Sequence, residues 1–303
     1  MKFNSLQFCL IPIALVATLS GQSKTVAERL GYPADSKLLI IHADDLAVAH
    51  AVDSASFDAL EKGAVTSASI LVPCPWLTEV ADYAKSHPDA DLGLHLDLTS
   101  EWRTYRWGPV ESKDKVPSLL DPAGAFWSLT EPAASHAKPE EAETELRAQI
   151  KDALAMGIHP THLDTHMGTM FATPALTSVY AKLAHEYHLP FLAVRIPGVN
   201  ISGLSERDVL LDSVGIANPD VQAGNWKQFY LNAIKNLKPG LTEMIVHLGY
   251  DGPELQAIMG QVAFGSSWRQ HDYDVVTSPE FKKALEDNHI VLVKWKDIGK
   301  LVQ

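Results

Sequence analysis

The stretch Leu38–Asp45, which reads L-L-I-I-H-A-D-D, decides the fold that this chain can adopt. Its four consecutive aliphatic residues require burial on both faces, which is typical of a strand inside a parallel sheet. Two adjacent carboxylates, Asp44 and Asp45, follow at the carboxyl end, where α/β folds bind their ligands. Because neighbouring residues of an extended chain point in different directions, the two acids can serve different purposes. The alternative is that one acid caps the next helix and the other is solvated.

Further apolar segments alternate with helical patterns along the rest of the chain. The other predicted strands are Ser67–Val72, Asp91–Thr99, Thr161–Thr165, Phe191–Ile196, Glu243–Leu248 and Ile290–Trp295. The predicted helices are Ala47–Lys62, Trp76–Ser86, Pro139–Met156, Pro174–His188, Asn225–Leu237 and Pro279–Asp287, while Thr25–Tyr32 is predicted to be a tether and Pro197–Gly224 to be rich in loops. This alternation predicts a parallel α/β sheet of about seven strands in one domain, closed or nearly closed into a barrel. A doubly wound open sheet is the alternative.

The composition limits the classes of partner. The chain has 303 residues, of which 46% are hydrophobic, and this is enough for one large core or two modest ones. The formal net charge is −12 and the sequence contains no basic run, so we expect no binding to nucleic acid or to an anionic membrane.

The N-terminus has the pattern of a secretory signal. Lys2 precedes the apolar stretch Phe8–Leu19, and small and polar residues follow at Ser20–Ser23. The apolar stretch is too short to span a bilayer comfortably, although an uncleaved anchor is the alternative. We therefore expect residues 1–23 to be a signal peptide and residues 24–303 to form a secreted or periplasmic domain. Cys74 would be its one thiol, which excludes an internal disulfide and favours a small buried residue.

The segment Glu101–Ala137 interrupts the alternation of strands and helices. It contains Trp102, Trp107 and Trp127 and has no clear period, which is typical of a functional loop or an ordered lid. Its aromatic faces could bind sugar rings, or they could simply attach the loop to the barrel.

Histidines recur at or just past the ends of predicted strands. They are His95, His162, His166 and His247. Together with Asp44 and Asp45 they would meet at one mouth of a barrel. One carboxylate and two imidazoles form a ligand set that Zn²⁺, Co²⁺, Mn²⁺ or Ni²⁺ accepts, and a second carboxylate can take a proton from a metal-bound water. His162 would lie deeper than His166, where a supporting or structural role is expected.

Five stretches give the chain a family resemblance. They are I-H-A-D-D (41–45), A-V-T-S-A-S-I-L-V (64–72), L-G-L-H-L-D-L-T (92–99), H-P-T-H-L-D-T-H (159–166) and V-T-S-P-E-F-K-K-A-L (276–285). With them the chain resembles the YdjC/ChbG-like family of carbohydrate deacetylases over nearly all of its length after residue 37. The resemblance implies a distorted, TIM-like (β/α) barrel and metal-dependent removal of N-acetyl groups from amino sugars or oligosaccharides.

The resemblance also implies roles for individual residues. Asp45, His95 and His166 match the ligands of one divalent ion, Mg²⁺ or Zn²⁺. Asp44 matches the catalytic base, and His247 matches a strand-end histidine that acts as the acid.

The chain departs from the family pattern at two places. The family continues with more histidines where this chain has Met167–Met170, and it has proline where this chain has Leu248. A changed substrate is therefore expected, and phosphorylated sugars are expected less than neutral ones because the chain looks exported. A homodimer is compatible with the sequence.

Two other functions fit the same residues. One is a metal-dependent phosphoesterase or another amide hydrolase on the same barrel, which would often hold two metal ions. The other is a glycan-binding module without catalysis, although such a module needs no base at Asp44. Arg269 could orient a carboxylate, but a surface ion pair is the favoured interpretation.

Overall fold

A curled sheet of parallel strands forms the centre of the molecule. The computed structural model describes residues 24–196, 198, 201–260 and 262–302. Within them the strands are β1 (Lys37–Leu46), β2 (Ser67–Ile70), β3 (Leu92–Leu96), β4 (Leu163–Thr165), β5 (Ser213–Ile216), β6 (Gly240–Val246) and β7 (Ile290–Leu292). The order across the sheet is β4-β3-β2-β1-β6-β5, with β7 also beside β1, and every pair is parallel. The predicted single-domain α/β barrel is confirmed.

Strand β1 pairs with three other strands because it is the longest of them. Residues Lys37–Ala43 pair with β6, and Lys37–Leu39 also pair with β7 on the other side. From His42 onward, β2 replaces β7 as the partner. The register of the β1–β2 pair shifts between Ala43 and Leu46, so Asp44 and Asp45 lie within an irregularity of the ladder.

The edges of the sheet are joined by single bridges. Phe191 forms a parallel bridge with Leu163 of β4, and Val194 forms one with Leu211, which precedes β5. The predicted strand Phe191–Ile196 is therefore wrong as a continuous strand, although its residues lie between the two edges. Its backbone donates one hydrogen bond to each neighbouring segment, from Leu192 N to Leu163 O at 3.0 Å and from Arg195 N to Leu211 O at 2.8 Å.

Eleven α-helices surround the sheet in the part of the chain that the structure describes. They are α1 (Val26–Arg29), α2 (His50–Glu61), α3 (Leu77–Ser86), α4 (Thr130–His136), α5 (Pro139–Ala155), α6 (Pro174–Glu186), α7 (Trp226–Asn236), α8 (Pro253–Ile258), α9 (Ser266–Val276), α10 (Pro279–Asp287) and α11 (Trp295–Val302). The six predicted helices are all present. The predicted tether contains α1, whose capping box joins Thr25 and Glu28. The predicted end of the last strand belongs to α11 instead.

Side chains of β1 alternate between two environments. Leu39 and Ile41 belong to the large core shared with the helices, whereas Leu38 and Ile40 pack inside the sheet with Trp295 and its neighbours. His42 and Asp44 continue this inner row toward the carboxyl end of the strand. The barrel interior is thus apolar at its base and polar toward its mouth.

The N-terminal signal prediction lies outside the described residues. Among the residues that are described, no helix combines the length and apolar character that a membrane span requires.

Candidate active site

Two adjacent acids near the end of β1 lie close to the same imidazole. Asp44 Oδ2 lies 3.7 Å from His95 Nε2, and Asp45 Oδ1 lies 3.5 Å from the same nitrogen. Neighbouring side chains of a regular strand would diverge, but Asp45 has a φ of 72° in the left-handed region. This backbone conformation, which few non-glycine residues adopt, allows both carboxylates to face the mouth of the barrel.

Asp45, His95 and His166 form a compact group of buried donors. One ligand atom from each lies within 4.8 Å of the others, and Asp45 Oδ1 is 3.4 Å from His166 Nδ1. Two ligands about 2.1 Å from one tetrahedral ion lie about 3.4 Å apart, which matches the two contacts of this oxygen. Asp45 Oδ1 is also buried without a hydrogen-bond partner among the described residues. The group could therefore hold a divalent metal ion.

Each of these three residues has a supporting partner that orients it. Asp164 Oδ2 lies 3.1 Å from Nδ1 of His95, and Glu101 Oε2 lies 3.1 Å from Nε2 of His166. Carboxylates that contact the far nitrogen of a ligating histidine fix its ring and raise its basicity. The sequence analysis did not single out Glu101 as a site residue. The signal that could have identified it is its position shortly after the strand segment that contains His95.

Arg269 is the partner of Asp45. Its Nη2 donates to Asp45 Oδ2 at 2.6 Å, and both side chains are almost fully buried. Its Nε donates to the carbonyl oxygen of Phe264 at 3.0 Å. Burial acts to raise the pKa of Asp45, but the Arg269 guanidinium and His166 hold this pKa well below its usual value. The predicted surface ion pair at Arg269 is wrong, because α9 directs this side chain into the barrel.

His247 lies beside Asp44 rather than within the metal-binding group. Its Nε2 is 3.8 Å from Asp44 Oδ2, and its backbone N–H donates to the buried Asp272 at 2.9 Å. Burial lowers the pKa of His247, so the ring is neutral at pH 7 and can accept a proton. The structure brings this predicted residue to the mouth with the other four.

A second polar cluster lies just beneath the mouth and was missed in the sequence. His42 Nε2 is 3.2 Å from both Asp44 Oδ1 and Asp164 Oδ2, and its Nδ1 is 3.5 Å from Glu243. Burial acts against the charged ring, but Glu243, Asp164 and Asp44 raise the pKa of His42 well above its usual value. Burial raises the pKa of Glu243 to about 8. The signal was present in β1, because residues 42 and 44 of a strand share one face.

His162 lies deeper in the barrel, as predicted. It is fully buried, stacks on Trp295 with ring centroids 5.1 Å apart and contacts Asp91 at 3.5 Å. An added Cβ at Gly93 would lie 2.3 Å from its ring, so glycine is required there. His162 therefore has a packing role at this level of the barrel.

A cavity of about 360 Å³ opens above the two acids. Its apolar wall is formed by Trp102, Met167, Ile216, Ile245, Ala263 and Phe264. Met167 and Ile216 are about two-fifths exposed at the rim. Among the described lining residues Arg269 is the one lysine or arginine, and it is bound to Asp45.

The aromatic segment Glu101–Ala137 is mainly attached to the barrel by its own side chains. Trp102, Trp107 and Phe126 are buried, and Trp107 Nε1 donates to Asp97 Oδ2 at 2.6 Å. Only the first two residues of the segment, Glu101 and Trp102, line the cavity. The packing role is thus the dominant one, and Trp102 adds an aromatic wall to the site.

The chain is similar to proteins described as carbohydrate deacetylases. The family model of the YdjC-like proteins matches residues 38–287. A carbohydrate deacetylase of Thermus thermophilus is 34% identical over 278 residues, which cover 86% of this chain and 94% of that protein. One from Brevibacillus brevis is 31% identical over 267 residues, which cover 86% and 99%.

A solved structure shares the fold over most of the chain. It is a protein of Enterococcus faecalis V583, provisionally described as a cellobiose-phosphate cleavage protein, with 26% identity and a TM-score of 0.74. The match covers 87% of this chain and 99% of that one.

Proposed function

Because this chain belongs to the YdjC-like protein family, we propose that it is a carbohydrate deacetylase that removes N-acetyl groups from amino sugars or their oligomers. The observation that carries the proposal is the group Asp45, His95 and His166, with Asp44 beside it. Hydrolysis of an amide by activated water requires such a ligand set and, next to it, a carboxylate that does not bind the ion.

The residues present would hold one divalent ion. When bound, the ion would activate a water molecule and polarise the acetamide carbonyl. Two imidazoles and one carboxylate favour Zn²⁺ or another first-row transition metal, since Mg²⁺ prefers oxygen ligands. Arg269 and Glu101 hold two of the ligating side chains in place.

Asp44 and His247 would move the protons. Asp44 accepts a proton from the attacking water, and the carbonyl carbon gains a C–O bond. His247 Nε2, 3.8 Å from Asp44 Oδ2, then receives this proton and passes it to the departing nitrogen. The C–N bond breaks, and the products are acetate and a free amino sugar.

The cavity favours a sugar without a phosphate group. Its mouth carries Asp44, Asp45 and Glu101, while Arg269, the one lysine or arginine among the described lining residues, is buried and already paired. A phosphate would therefore meet carboxylates and an apolar rim rather than the free arginine or lysine that phosphate recognition uses. Comparing kcat/KM for an N-acetylated disaccharide and its 6-phosphate tests this, and a preference for the phosphate would refute it.

Release of acetate from N-acetylglucosamine oligomers tests the proposed activity. Asp44→Asn should reduce turnover by about 10²–10⁴-fold while metal content is unchanged, because the base alone is lost. His95→Ala should lose the metal as well. Asp212→Asn is the matched control, since Asp212 accepts from Leu241 N at the start of β6, away from the mouth. Near-normal turnover in Asp44→Asn would show that another group is the base.

One observation favours a two-metal phosphoesterase as the second candidate. His42, Asp44 and Asp164 also bring three ligand atoms within 4.8 Å of one another. We assign the ion to the first group because Asp45, His95 and His166 all line the cavity, whereas His42 and Asp164 do not. Metal analysis giving one ion per chain supports the deacetylase, and two ions per chain would favour the phosphoesterase.

We also propose that the protein is exported, with residues 1–23 as its signal peptide. The support is the sequence pattern of Lys2, the apolar stretch Phe8–Leu19 and the small residues that follow. Mass spectrometry of the protein from the extracellular and periplasmic fractions would identify the mature N-terminus.

A further inference from the structure

The turn at the end of β1 is strained on both sides of Leu46, the last residue of the strand. Asp45 has a φ of 72° and Ala47 has a φ of 76°, and neither residue is a glycine. Such conformations persist only where surrounding contacts hold them, and they concentrate at functional sites. Here the strained turn carries the carboxylate of the proposed metal site.

Asp53, a buried acid of α2, accepts a hydrogen bond from the backbone of this turn. Asp53 is fully buried, and its Oδ1 accepts a hydrogen bond from Ala47 N at 2.7 Å. Other hydrogen bonds act on the same segment: Leu46 O accepts from Leu71 N at 2.9 Å, Ala47 O from Trp76 N at 3.0 Å and Val48 O from Tyr105 OH at 2.8 Å. Among the hydrogen bonds of Ala47 within the described residues, the bond to Asp53 is the one made by a side chain.

Asp53 is uncharged at neutral pH. Burial, together with the neighbouring carboxylates of Glu79 and Glu254, raises the pKa of Asp53 to about 9. An amide of the same shape can therefore replace the acid and still accept the bond from Ala47 N. Because the uncharged Asp53 can be replaced by an uncharged amide, the effect of its hydrogen bond can be tested without a change of charge.

We propose that Asp53 is a positioning residue for the metal-binding carboxylate. By fixing Ala47 N, it keeps the turn in its left-handed conformation and holds Asp45 Oδ1 toward His95 and His166. The inference rests on the proposed metal site, but it does not depend on which substrate the enzyme uses.

Zn²⁺ affinity of the metal-stripped protein, measured by isothermal titration calorimetry, tests this role. Asp53→Leu keeps the shape of the side chain without its acceptor and should weaken Zn²⁺ binding by about 10-fold or more, as for other outer partners of ligands. Asp53→Asn should remain within about 3-fold of the natural protein, because the acceptor is retained.

A double variant distinguishes positioning from general destabilisation. Glycine tolerates a positive φ without a Cβ clash, so Ala47→Gly in the Asp53→Leu background should recover much of the lost affinity. Glu145→Leu is the matched control, since Glu145 is equally buried and accepts from backbone N–H groups of Val110 and Glu111 away from the metal group. It should lower the melting temperature without changing Zn²⁺ affinity.

The outcomes separate this inference from the proposed function. Natural protein without Zn²⁺ affinity would overturn the metal site itself. Unchanged affinity in Asp53→Leu, or equal losses in Asp53→Asn and Asp53→Leu, would overturn the role of Asp53 alone. Circular dichroism verifies folding first, and Asp53→Ser, whose short hydroxyl does not reach Ala47 N, replaces Asp53→Leu if that variant does not fold.

Discussion

Replacing Arg269 by methionine should destabilise the metal-free protein strongly. Methionine is of similar length and unbranched, so the change removes the charge with little change in packing. Asp45 would then be a buried carboxylate without its cation, since Arg269 Nη2 donates to it at 2.6 Å and both side chains are nearly fully buried. Breaking such a pair on one side costs about 3–5 kcal/mol.

The cost should depend on pH and on metal. Without Arg269, burial would raise the pKa of Asp45 above its unfolded value, so the folded variant binds a proton that the unfolded chain does not. The stability of the variant therefore rises as pH falls from 7. The difference in free energy of unfolding between the variant and the natural protein should decrease by up to ~1.4 kcal/mol per pH unit. A divalent ion beside Asp45 should also decrease this difference in stability at neutral pH, because it supplies positive charge to the carboxylate.

Thermal and urea unfolding in the presence of a chelator measure this effect. At about 2–4 °C per kcal/mol for a domain of this size, the expected decrease in Tm is about 6–20 °C at pH 7. Arg269→Lys, which retains a positive charge, is the control and should lose less stability. A loss below about 1 kcal/mol in Arg269→Met at pH 7 would refute the reasoning.

Three further predictions follow from the backbone and from buried groups. Ala47→Gly should stabilise the protein by about 0.5–1 kcal/mol in urea unfolding. Removing the Cβ relieves the steric strain of the φ of 76°, and this gain should exceed the cost of the greater backbone entropy of glycine in the unfolded chain. A destabilised variant would contradict this. Gly93→Ala should destabilise it by about 1–3 kcal/mol, because the new methyl group would lie 2.3 Å from the His162 ring; unchanged stability would show that the ring can move aside. The folded pKa of Asp53 is about 9, so folding takes up a proton and stability falls as pH rises between the unfolded and folded pKa values. Asp53→Asn should reduce that slope between pH 5 and 8 by up to ~1.4 kcal/mol per pH unit, and identical slopes would show that the acid is ionised.

Strands with continuous apolar sequences were predictable, and weakly patterned ones were not. The run L-L-I-I requires burial on both faces, and β1 is indeed the central strand. Strand β5 (Ser213–Ile216) was missed because its four residues are partly exposed and include a serine and a glycine. Phe191–Ile196 looked equally apolar, but it follows a proline and meets each neighbour at a single bridge.

The members of the site were predictable, but the contacts that hold them were not. Strand-end positions pointed to six residues, and the family resemblance then assigned roles to five of them. The six are Asp44, Asp45, His95, His162, His166 and His247, and His162 is the one without an assigned role. The burial of Arg269 depends on a partner 224 residues away, which no local pattern reveals. The convergence of the two acids depends on a positive φ at a residue that is not a glycine.

The pairing of β1 with three neighbours also determines how this enzyme can move. Amide hydrogens at the centre of a sheet exchange only when much of the domain opens, so the backbone below Asp44 should be among the slowest to exchange with deuterium. The backbone beneath the active site should therefore open only at a free-energy cost close to that of unfolding the whole domain. Local motion near the cavity is instead expected in peripheral segments at its rim, such as the turn that carries Met167 and the residues around Phe264.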